Sequence, residues 1–271
     1  MSVQVAVRCR PFNRRERNMG CKAIVHMEGD TTFLHPADVG LEAEGRPFTF
    51  DHSFWSHERG DPHFASQADV WDAIGPPVLA DAFNGYNSCI FAYGQTGAGK
   101  SYTMMGADGG AERGVTPRLC QALFDRVERE MAAAPGGTWS ARVEVSYMEI
   151  YMEKVHDLLA PGGSGTNLRV REHKTTGPYV EGLTPHAVTD FAGVRRLIDQ
   201  GNKVRARCGD EPFASSPLQV APILAIMTAD APPITLLTLV PSPPAHACRA
   251  AGQSPSRPST RCRCAPRRPR R

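Results

Sequence analysis

The sequence lacks any uninterrupted apolar run long enough to cross a lipid bilayer, which takes about 20 residues in a helix. The most apolar segment, 218–240, is broken by three prolines and by Asp230. A secretory leader is also missing, because Arg8 and Arg10 stand where its apolar stretch would be. Aromatic residues make up only 7% of the chain, but the 41% hydrophobic and 22% charged fractions are those of a globular protein. These absences exclude a membrane-spanning protein and predict a cytoplasmic one.

The eight cysteines have no spacing that indicates a disulfide framework. Isolated cysteines in a cytoplasmic protein are typically reduced thiols. Cys262 and Cys264 stand close together, but a zinc site needs a second pair of ligands, which the sequence does not offer. The sequence therefore predicts neither disulfides nor a structural metal.

The last quarter of the chain has no lysine and almost no glycine. Residues 207–271 contain nine arginines, three acidic residues and twelve of the 23 prolines. Such a mixture of Pro, Ser, Ala and Arg without periodicity is typical of disorder. The composition predicts a folded domain over 1–206 and a disordered tail over 207–271. No aromatic residues alternate with the arginines, so we expect the tail to bind acidic surfaces without recognising a specific nucleic acid.

What the chain does contain is a complete phosphate-binding loop of the pattern G-x-x-x-x-G-K-[ST]. Its residues are Gly94, Gln95, Thr96, Gly97, Ala98, Gly99, Lys100 and Ser101. Glycines let the backbone turn tightly and approach the phosphates without a Cβ in the way. Lys100 would contact the β- and γ-phosphates, and the Ser101 hydroxyl would be a ligand of Mg²⁺. The pattern predicts a nucleotide site; the alternative is a glycine-rich turn without a ligand.

Apolar periodicity on both sides of the loop predicts an α/β domain. The predicted strands cover 3–8, 47–51, 87–93 and 141–151, a hairpin covers 168–183, and helices cover 67–83, 117–131 and 190–204. A further helix is expected to open at the end of the loop, where its N-terminus would favour anions. Pro76 and Pro77 are expected to kink or split the first helix. The order of strands and helices predicts three layers around a largely parallel sheet.

Several segments together resemble the kinesin motor domain. They read VAVRCRPFN at 5–13, FDHSFW at 50–55, GYN at 85–87, FAYGQTGAGKSYTM at 91–104 and VSYMEIY at 145–151. The likeness runs from residue 3 to residue 205. The segments SYTMMG at 101–106 and LRVREH at 168–173 are similar to sequences of the third kinesin class, the vesicle transporters. The resemblance implies a three-layer P-loop NTPase of the kinesin motor type, ATP or ADP with Mg²⁺ as cofactors, microtubules as partner and a place on the cytoskeleton.

The resemblance also implies roles for four residues beside the loop. Arg8, Arg10 and Pro11 match the positions that line the adenine site in the family. Tyr102 matches the position that stacks on the base from the other side, and the amides of 95–100 would hold the phosphates. The alternatives are a solvated strand end for the two arginines and an ordinary core aromatic for the tyrosine. No residue is assigned a catalytic role.

Two segments that the family needs for hydrolysis do not occur in the sequence. They are the switch motifs Asn-x-x-Ser-Ser-Arg-Ser-His and Asp-Leu-Ala-Gly-Ser-Glu, and the main tubulin-binding helices follow the second of them in the family. The family's neighbours of the loop strand also come after residue 206, so we expect the strand at 89–93 to lack partners on both sides. Unpaired buried backbone groups cost about 1–3 kcal/mol each, which predicts a marginally stable or unfolded chain that binds ATP weakly.

Three interpretations of function remain open at this point. The first is a microtubule motor that hydrolyses ATP, as the family implies. The second is an incomplete motor domain that binds nucleotide weakly, does not hydrolyse it and contacts microtubules weakly or not at all, with the hairpin at 169–183 as a minor contact. The third is a product without function, whose tail arises from a frameshift, a retained intron or a gene-model error.

Overall fold

The computed structural model describes residues 3–107, 110–134, 139–151, 153–162, 165–174, 177–207, 218–228 and 234–241. The strands are β1 Ala6–Cys9, β2 Val25–Glu28, β3 Thr31–Leu34, β4 Arg46–Thr49, β5 His52–Trp55, β6 Ser88–Phe91, β7 Ala141–Ser146, β8 Met148–Tyr151, β9 Lys154–Asp157, β10 Gly165–His173, β11 Gly177–Glu181, β12 His186–Val188, β13 Leu218–Thr228 and β14 Ile234–Pro241. The helices are α1 Arg14–Asn18, α2 Gln67–Phe83, α3 Lys100–Met104, α4 Val115–Ala133 and α5 Phe191–Arg207.

The strand that leads into the phosphate loop belongs to a five-stranded sheet with the order β12-β7-β13-β14-β6. Of its four pairings only β14 with β6 is parallel, and the other three are antiparallel. The prediction of a largely parallel sheet is therefore wrong for this part of the chain. A short connection accounts only for the antiparallel pair of β13 and β14, which follow each other directly in the chain, because antiparallel neighbours can be joined by a turn. The other two antiparallel pairs join β7 to strands that are distant in the sequence. Another parallel pair, β1 with β5, lies beside the loop.

Two strands lie within the segment that the composition predicts to be disordered. β13 pairs with β7, and β14 pairs with β6 through Leu236–Leu239 opposite Ser88–Phe91. The structure thus differs from the expectation that β6 has no partner on either side, because one side is paired. The local sequences LQVAPILAIMT and ITLLTLVP are rich in aliphatic and β-branched residues, which favour strands. The Arg- and Pro-rich composition of the whole tail concealed this signal. The segment that holds Cys262 and Cys264 lies outside the described residues.

Helix α2 continues through Pro76 and Pro77, so the predicted split does not occur. Its start is fixed by a capping box in which the Ser66 hydroxyl accepts from the amides of Ala68 and Asp69. Beyond the prolines, Leu79 and Ala82 are buried against α4. This packing outweighs the hydrogen bonds that the two prolines cannot make, because tertiary contacts commonly override helix propensity.

The main hydrophobic core joins α2, α4 and α5 to β7. Its most buried members from α4 are Leu119, Cys120 and Leu123, and they pack with Val143, Val145, Val194 and Ile198. The predicted helices over 117–131 and 190–204 are confirmed as α4 and α5, and the Asp190 carboxylate accepts from the Gly193 amide at the start of α5.

The predicted strand over 141–151 is two strands in two sheets, because the ladder breaks at Tyr147. The Tyr147 ring is 4% exposed, and its hydroxyl donates to Asn202 Oδ1 at 2.9 Å. The Tyr147 carbonyl accepts from the Leu158 amide at 2.8 Å, a contact outside the strand ladder. The following strands form the sheet β11-β10-β9-β8, in which β10 and β11 are the predicted hairpin. The remaining sheet, β2-β3-β4, is a separate antiparallel unit.

Candidate functional site

The phosphate loop, residues 94–101, follows β6 and includes the first two residues of α3. Gly94, Gly97 and Gly99 have φ angles of 153°, 81° and 94°, which residues with side chains rarely adopt. A Cβ at Gly94 would lie 2.9 Å from the Ala98 Cβ, closer than real contacts allow. The loop also holds itself together, since the Ala98 amide donates to the Gln95 carbonyl at 3.0 Å. Helix α3 is only five residues long, so the expected contribution of its dipole is small.

Lys100 is the buried positive charge of the loop, with a relative exposure of 9%. Its Nζ donates to the carbonyls of Gly94 and Gln95 at 2.8 and 3.0 Å. Burial lowers the pKa of this ammonium group. No carboxylate pairs with it among the described contacts, and a third N–H donor remains on the ammonium. A buried cation in this arrangement favours an anion, and a phosphate group fits that requirement.

Arg10 connects the loop to the residues that follow β1. Its Nε donates to the Gly97 carbonyl at 2.6 Å, and its Nη1 donates to the Pro11 carbonyl at 2.7 Å. Both Nη atoms also bind the Glu16 carboxylate, at 2.7 and 2.6 Å. Arg10 is therefore not a solvated strand end, because its guanidinium holds the backbone of the loop.

Arg8 is fixed by three segments that are distant in sequence. Its Nε donates to Ser56 Oγ at 2.9 Å, and its Nη1 donates to Gln67 Oε1 at 2.9 Å and to Thr103 Oγ1 at 3.1 Å. Burial lowers the pKa of Arg8. Ser56 and Gln67 are themselves 4% and 2% exposed, so the network is internal. The alternative of a solvated strand end does not fit Arg8 either.

Tyr102 lies beside Arg8, whose guanidinium carbon is 5.4 Å from the centre of the tyrosine ring. The Tyr102 hydroxyl donates to the Glu112 carboxylate, and Arg59 binds the same carboxylate at 3.0 Å. Burial and then the bond to Glu112 raise the pKa of Tyr102, and that bond also lowers the pKa of Glu112. The ring is 39% exposed, which does not fit an ordinary core aromatic.

The structure places one of the predicted flanking residues against the loop and two others in or beside the helix that follows it. Arg10 contacts Gly97, and Arg8 reaches Thr103 and Tyr102 on α3. Pro11, Gln95, Thr96 and Ser101 are exposed. Ser101 offers the hydroxyl that the pattern assigns to Mg²⁺. Within the described ranges, no group of three or more His, Cys, Asp or Glu side chains could hold a metal ion.

Sequence reasoning missed four supporting residues of the site. They are Glu16, Ser56, Gln67 and Glu112. The spacing Asn13-x-x-Glu16 is a capping-box signal, so the sequence could have identified the start of α1. No local pattern indicates that Glu16 also binds Arg10, or that Gln67 binds Arg8, because these contacts depend on the folded chain.

A glycine-rich loop between a strand and a helix, with a buried lysine and a mixed α/β fold, defines a P-loop nucleotide-binding domain. The model of the kinesin motor domain matches residues 8–210. The chain belongs to the kinesin motor-domain family, whose members are microtubule motors.

Similar proteins agree with this assignment. Human kinesin-like protein KIF1C is 52% identical over 205 residues, which are 75% of this chain and 18% of that protein. Kinesin-like protein unc-104 of Caenorhabditis elegans is 50% identical over 205 residues, which are 75% of this chain and 12% of that protein. Both are kinesin-3 proteins, so the predicted class is confirmed. The chain spans less than a fifth of the length of these relatives.

Solved kinesin structures have the same fold. The motor of KIF14, solved with ADP in complex with a microtubule, superposes with a TM-score of 0.74 and 33% identity, covering 93% of this chain and 72% of that one. A fast kinesin gives a TM-score of 0.74 at 34% identity, covering 93% and 69%. The P-loop NTPase fold predicted from the sequence is thereby confirmed. In the part of the chain that the structure describes, no helix has the length and apolar character to span a membrane.

Proposed function

We propose that this chain binds ATP or ADP at the phosphate loop. The observation that carries the proposal is the buried Lys100 ammonium, which has two carbonyl partners and lies in a loop whose glycines leave room for phosphates. Arg10 contacts the loop at Gly97, and Arg8 lies beside Thr103 and Tyr102 of α3. Together with Pro11, the residues Arg8, Arg10 and Tyr102 would line the adenine site. The KIF14 structures hold ADP or AMP-PNP, which supports the same ligand class here.

We further propose that the chain hydrolyses ATP poorly or not at all. Mg²⁺, when bound, would neutralise charge on the phosphates, and P-loop enzymes hold it with the loop Ser or Thr and with an acidic residue. Here Ser101 would supply the hydroxyl. The strand beside β6 is β14, with Leu239 opposite Phe91 at the point where β6 enters the loop. β14 contains no Asp or Glu, and the sequence also lacks both switch motifs.

Microtubule binding by this chain is proposed to be weak or absent. The KIF14 motors were solved on microtubules, which supports tubulin as the partner of the family fold. The helices that the resemblance assigns to tubulin binding have no counterpart in the sequence. The hairpin of β10 and β11 remains as a minor contact, with Val170 63% exposed and Tyr179 47% exposed.

A product without function is the second candidate, and it is favoured by the abrupt change to Pro- and Arg-rich sequence after residue 206. Reading the transcript across the codons for 205–210 tests it. Switch sequences in another frame or a later exon would mark the tail as an artefact or a splice form.

Nucleotide binding is tested by titrating the purified 271-residue chain with fluorescent mant-ADP. We expect weak but saturable binding that Lys100→Ala abolishes, because the variant loses the buried cation. Lys154→Ala removes an exposed lysine from β9 and is the matched control, which should bind like the wild type. Absence of binding by the wild type, or equal binding by the two variants, would contradict the proposal.

Hydrolysis is tested by phosphate release with and without microtubules. We expect no stimulation by microtubules. Turnover comparable to that of an intact kinesin head would overturn the second part of the proposal.

A further inference from the structure

Glu16 lies outside the loop but is connected to it through a single side chain. Its Oε1 accepts from Arg10 Nη2 at 2.6 Å, and its Oε2 accepts from Arg10 Nη1 at 2.7 Å. This is the two-pronged geometry that makes arginine–carboxylate pairs directional. The side chains of the pair are 27% and 26% exposed, so water screens the pair only in part.

The carboxylate of Glu16 is itself held in place by the start of α1. Its Oε2 also accepts from the Asn13 amide at 2.7 Å, while the Glu16 amide donates to Asn13 Oδ1 at 2.9 Å. This reciprocal pair is a capping box, which restricts the rotamers of both residues. Glu16 is therefore a fixed anchor and not a mobile surface charge.

At its other end, Arg10 acts on the backbone of the loop. Arg10 Nε donates to the Gly97 carbonyl at 2.6 Å, and the Ala98 amide on the same peptide unit donates to the Gln95 carbonyl at 3.0 Å. Because the peptide unit is planar, these two bonds fix its orientation from both sides. Gly97 has a φ angle of 81° and no neighbouring atom within 4 Å of a Cβ position, so side-chain packing does not fix it.

We propose that Glu16 is a positioning residue of the phosphate loop: it holds Arg10, and Arg10 holds the Gly97 carbonyl, so the loop keeps its shape before nucleotide arrives. This role rests on the proposed nucleotide binding. It also places Arg10 in the scaffold of the site, in addition to any contact with the base. Preorganisation of this kind strengthens binding because less ordering remains to be done when the ligand enters.

The test combines nucleotide affinity with the mobility of the empty loop. Glu16→Gln keeps the size of the side chain and one acceptor for the cap but removes the charge. We expect the affinity for mant-ADP to fall about three- to tenfold. This loss lies between those typical of exposed and of buried ion pairs, because the Arg10–Glu16 pair is partly exposed. Hydrogen exchange of the amides of 94–99, measured without nucleotide, should accelerate by a similar factor. Glu181→Gln removes the carboxylate of the Arg171–Glu181 pair in a different sheet and should change neither quantity.

A charge exchange separates positioning from general stability. The double variant Arg10→Glu with Glu16→Arg can restore an ion pair, but it leaves no donor at the former Arg10 Nε position for the Gly97 carbonyl. We expect its thermal stability to recover relative to Arg10→Glu alone while its affinity for mant-ADP stays low. Recovery of affinity in the double variant would overturn the inference, because it would assign the pair a purely structural role.

The outcomes distinguish this inference from the proposed function. If the wild type does not bind mant-ADP, nucleotide binding is refuted, and exchange of the loop amides still decides whether Glu16 orders the loop. If the wild type binds and Glu16→Gln binds equally well with unchanged exchange, only the inference is refuted.

Discussion

Replacement of Gly201 by alanine separates helix propensity from side-chain packing in α5, because the two effects have opposite signs there. Gly201 lies inside the helix, and its Cα faces the ring of Tyr147. A Cβ at this position would lie 2.3 Å from Tyr147 Cδ1, 2.8 Å from Cε1 and 3.2 Å from the Leu158 Cβ. The first two distances are shorter than any that a real contact tolerates.

The magnitude follows from these distances. Propensity alone would make alanine more stable than glycine by about 1 kcal/mol. The ring cannot turn aside freely, since it is 4% exposed and its hydroxyl donates to Asn202 at 2.9 Å. Overpacking of this kind costs about 1–3 kcal/mol, and losing the hydrogen bond costs about 1 kcal/mol more. We expect Gly201→Ala to lower the free energy of unfolding by about 1–3 kcal/mol, or the melting temperature by about 2–12 °C.

Urea denaturation followed by circular dichroism measures the effect. The exposed neighbour Gln200 provides the control, since Gln200→Ala should be more stable than Gln200→Gly by about 0.5–1 kcal/mol. Adding Tyr147→Ala to Gly201→Ala should remove most of the added cost, as a double-mutant cycle would show. A Gly201→Ala chain as stable as the wild type, or more stable, would refute the packing argument.

Two further predictions concern the loop and its anchor. In urea denaturation, Gly94→Ala should destabilise the nucleotide-free chain about 1 kcal/mol more than Gly97→Ala. Both variants place a side chain at a positive φ, but only Gly94→Ala places a Cβ 2.9 Å from the Ala98 Cβ. A larger loss of stability in Gly97→Ala would contradict the loop geometry. The hydrogen bond from Arg10, and then the one from the Asn13 amide, lower the pKa of Glu16 from 4.5 to about 2. The contribution of the Glu16 carboxylate to the free energy of unfolding is therefore complete above pH 4.5 and is lost as the pH falls toward 2. The difference in unfolding free energy between the wild type and Glu16→Gln should therefore be constant near neutral pH and shrink in that acidic window. A difference that stays constant as the pH falls toward 2 would contradict a stabilising Arg10–Glu16 ion pair.

The elements with long, regular periodicity could be predicted from the sequence, and those that depend on distant contacts could not. The helices α4 and α5 and the hairpin of β10 and β11 follow directly from local patterns. The continuation of α2 through its two prolines depends on burial of Leu79 and Ala82, which no window of α2 reveals. The break at Tyr147 depends on Leu158 and Asn202, which are supplied by later parts of the chain.

The residues of the candidate site also fall into those that the sequence predicts and those that only the folded chain reveals. The loop residues are read from spacing alone because the backbone conformations that bind phosphate require glycine at defined positions. The residues beside the loop came from resemblance, and the structure adds what resemblance did not supply, namely the partners Glu16, Gln67 and Glu112. The composition did not predict β13 and β14 within 218–241, since averaging over the whole tail hid two short β-favouring segments.

The network of Arg8 has a consequence for any substitution at that position. One guanidinium joins Ser56, Gln67 and Thr103, which are 48, 59 and 95 residues away along the chain. Loss of these hydrogen bonds would destabilise the packing of β1, α2 and α3 against one another. Weaker ligand binding by an Arg8 variant would therefore reflect this structural change as well as the loss of any direct contact between Arg8 and the ligand. The two contributions become separable when the ligand-free stability of the same variant is measured alongside its affinity.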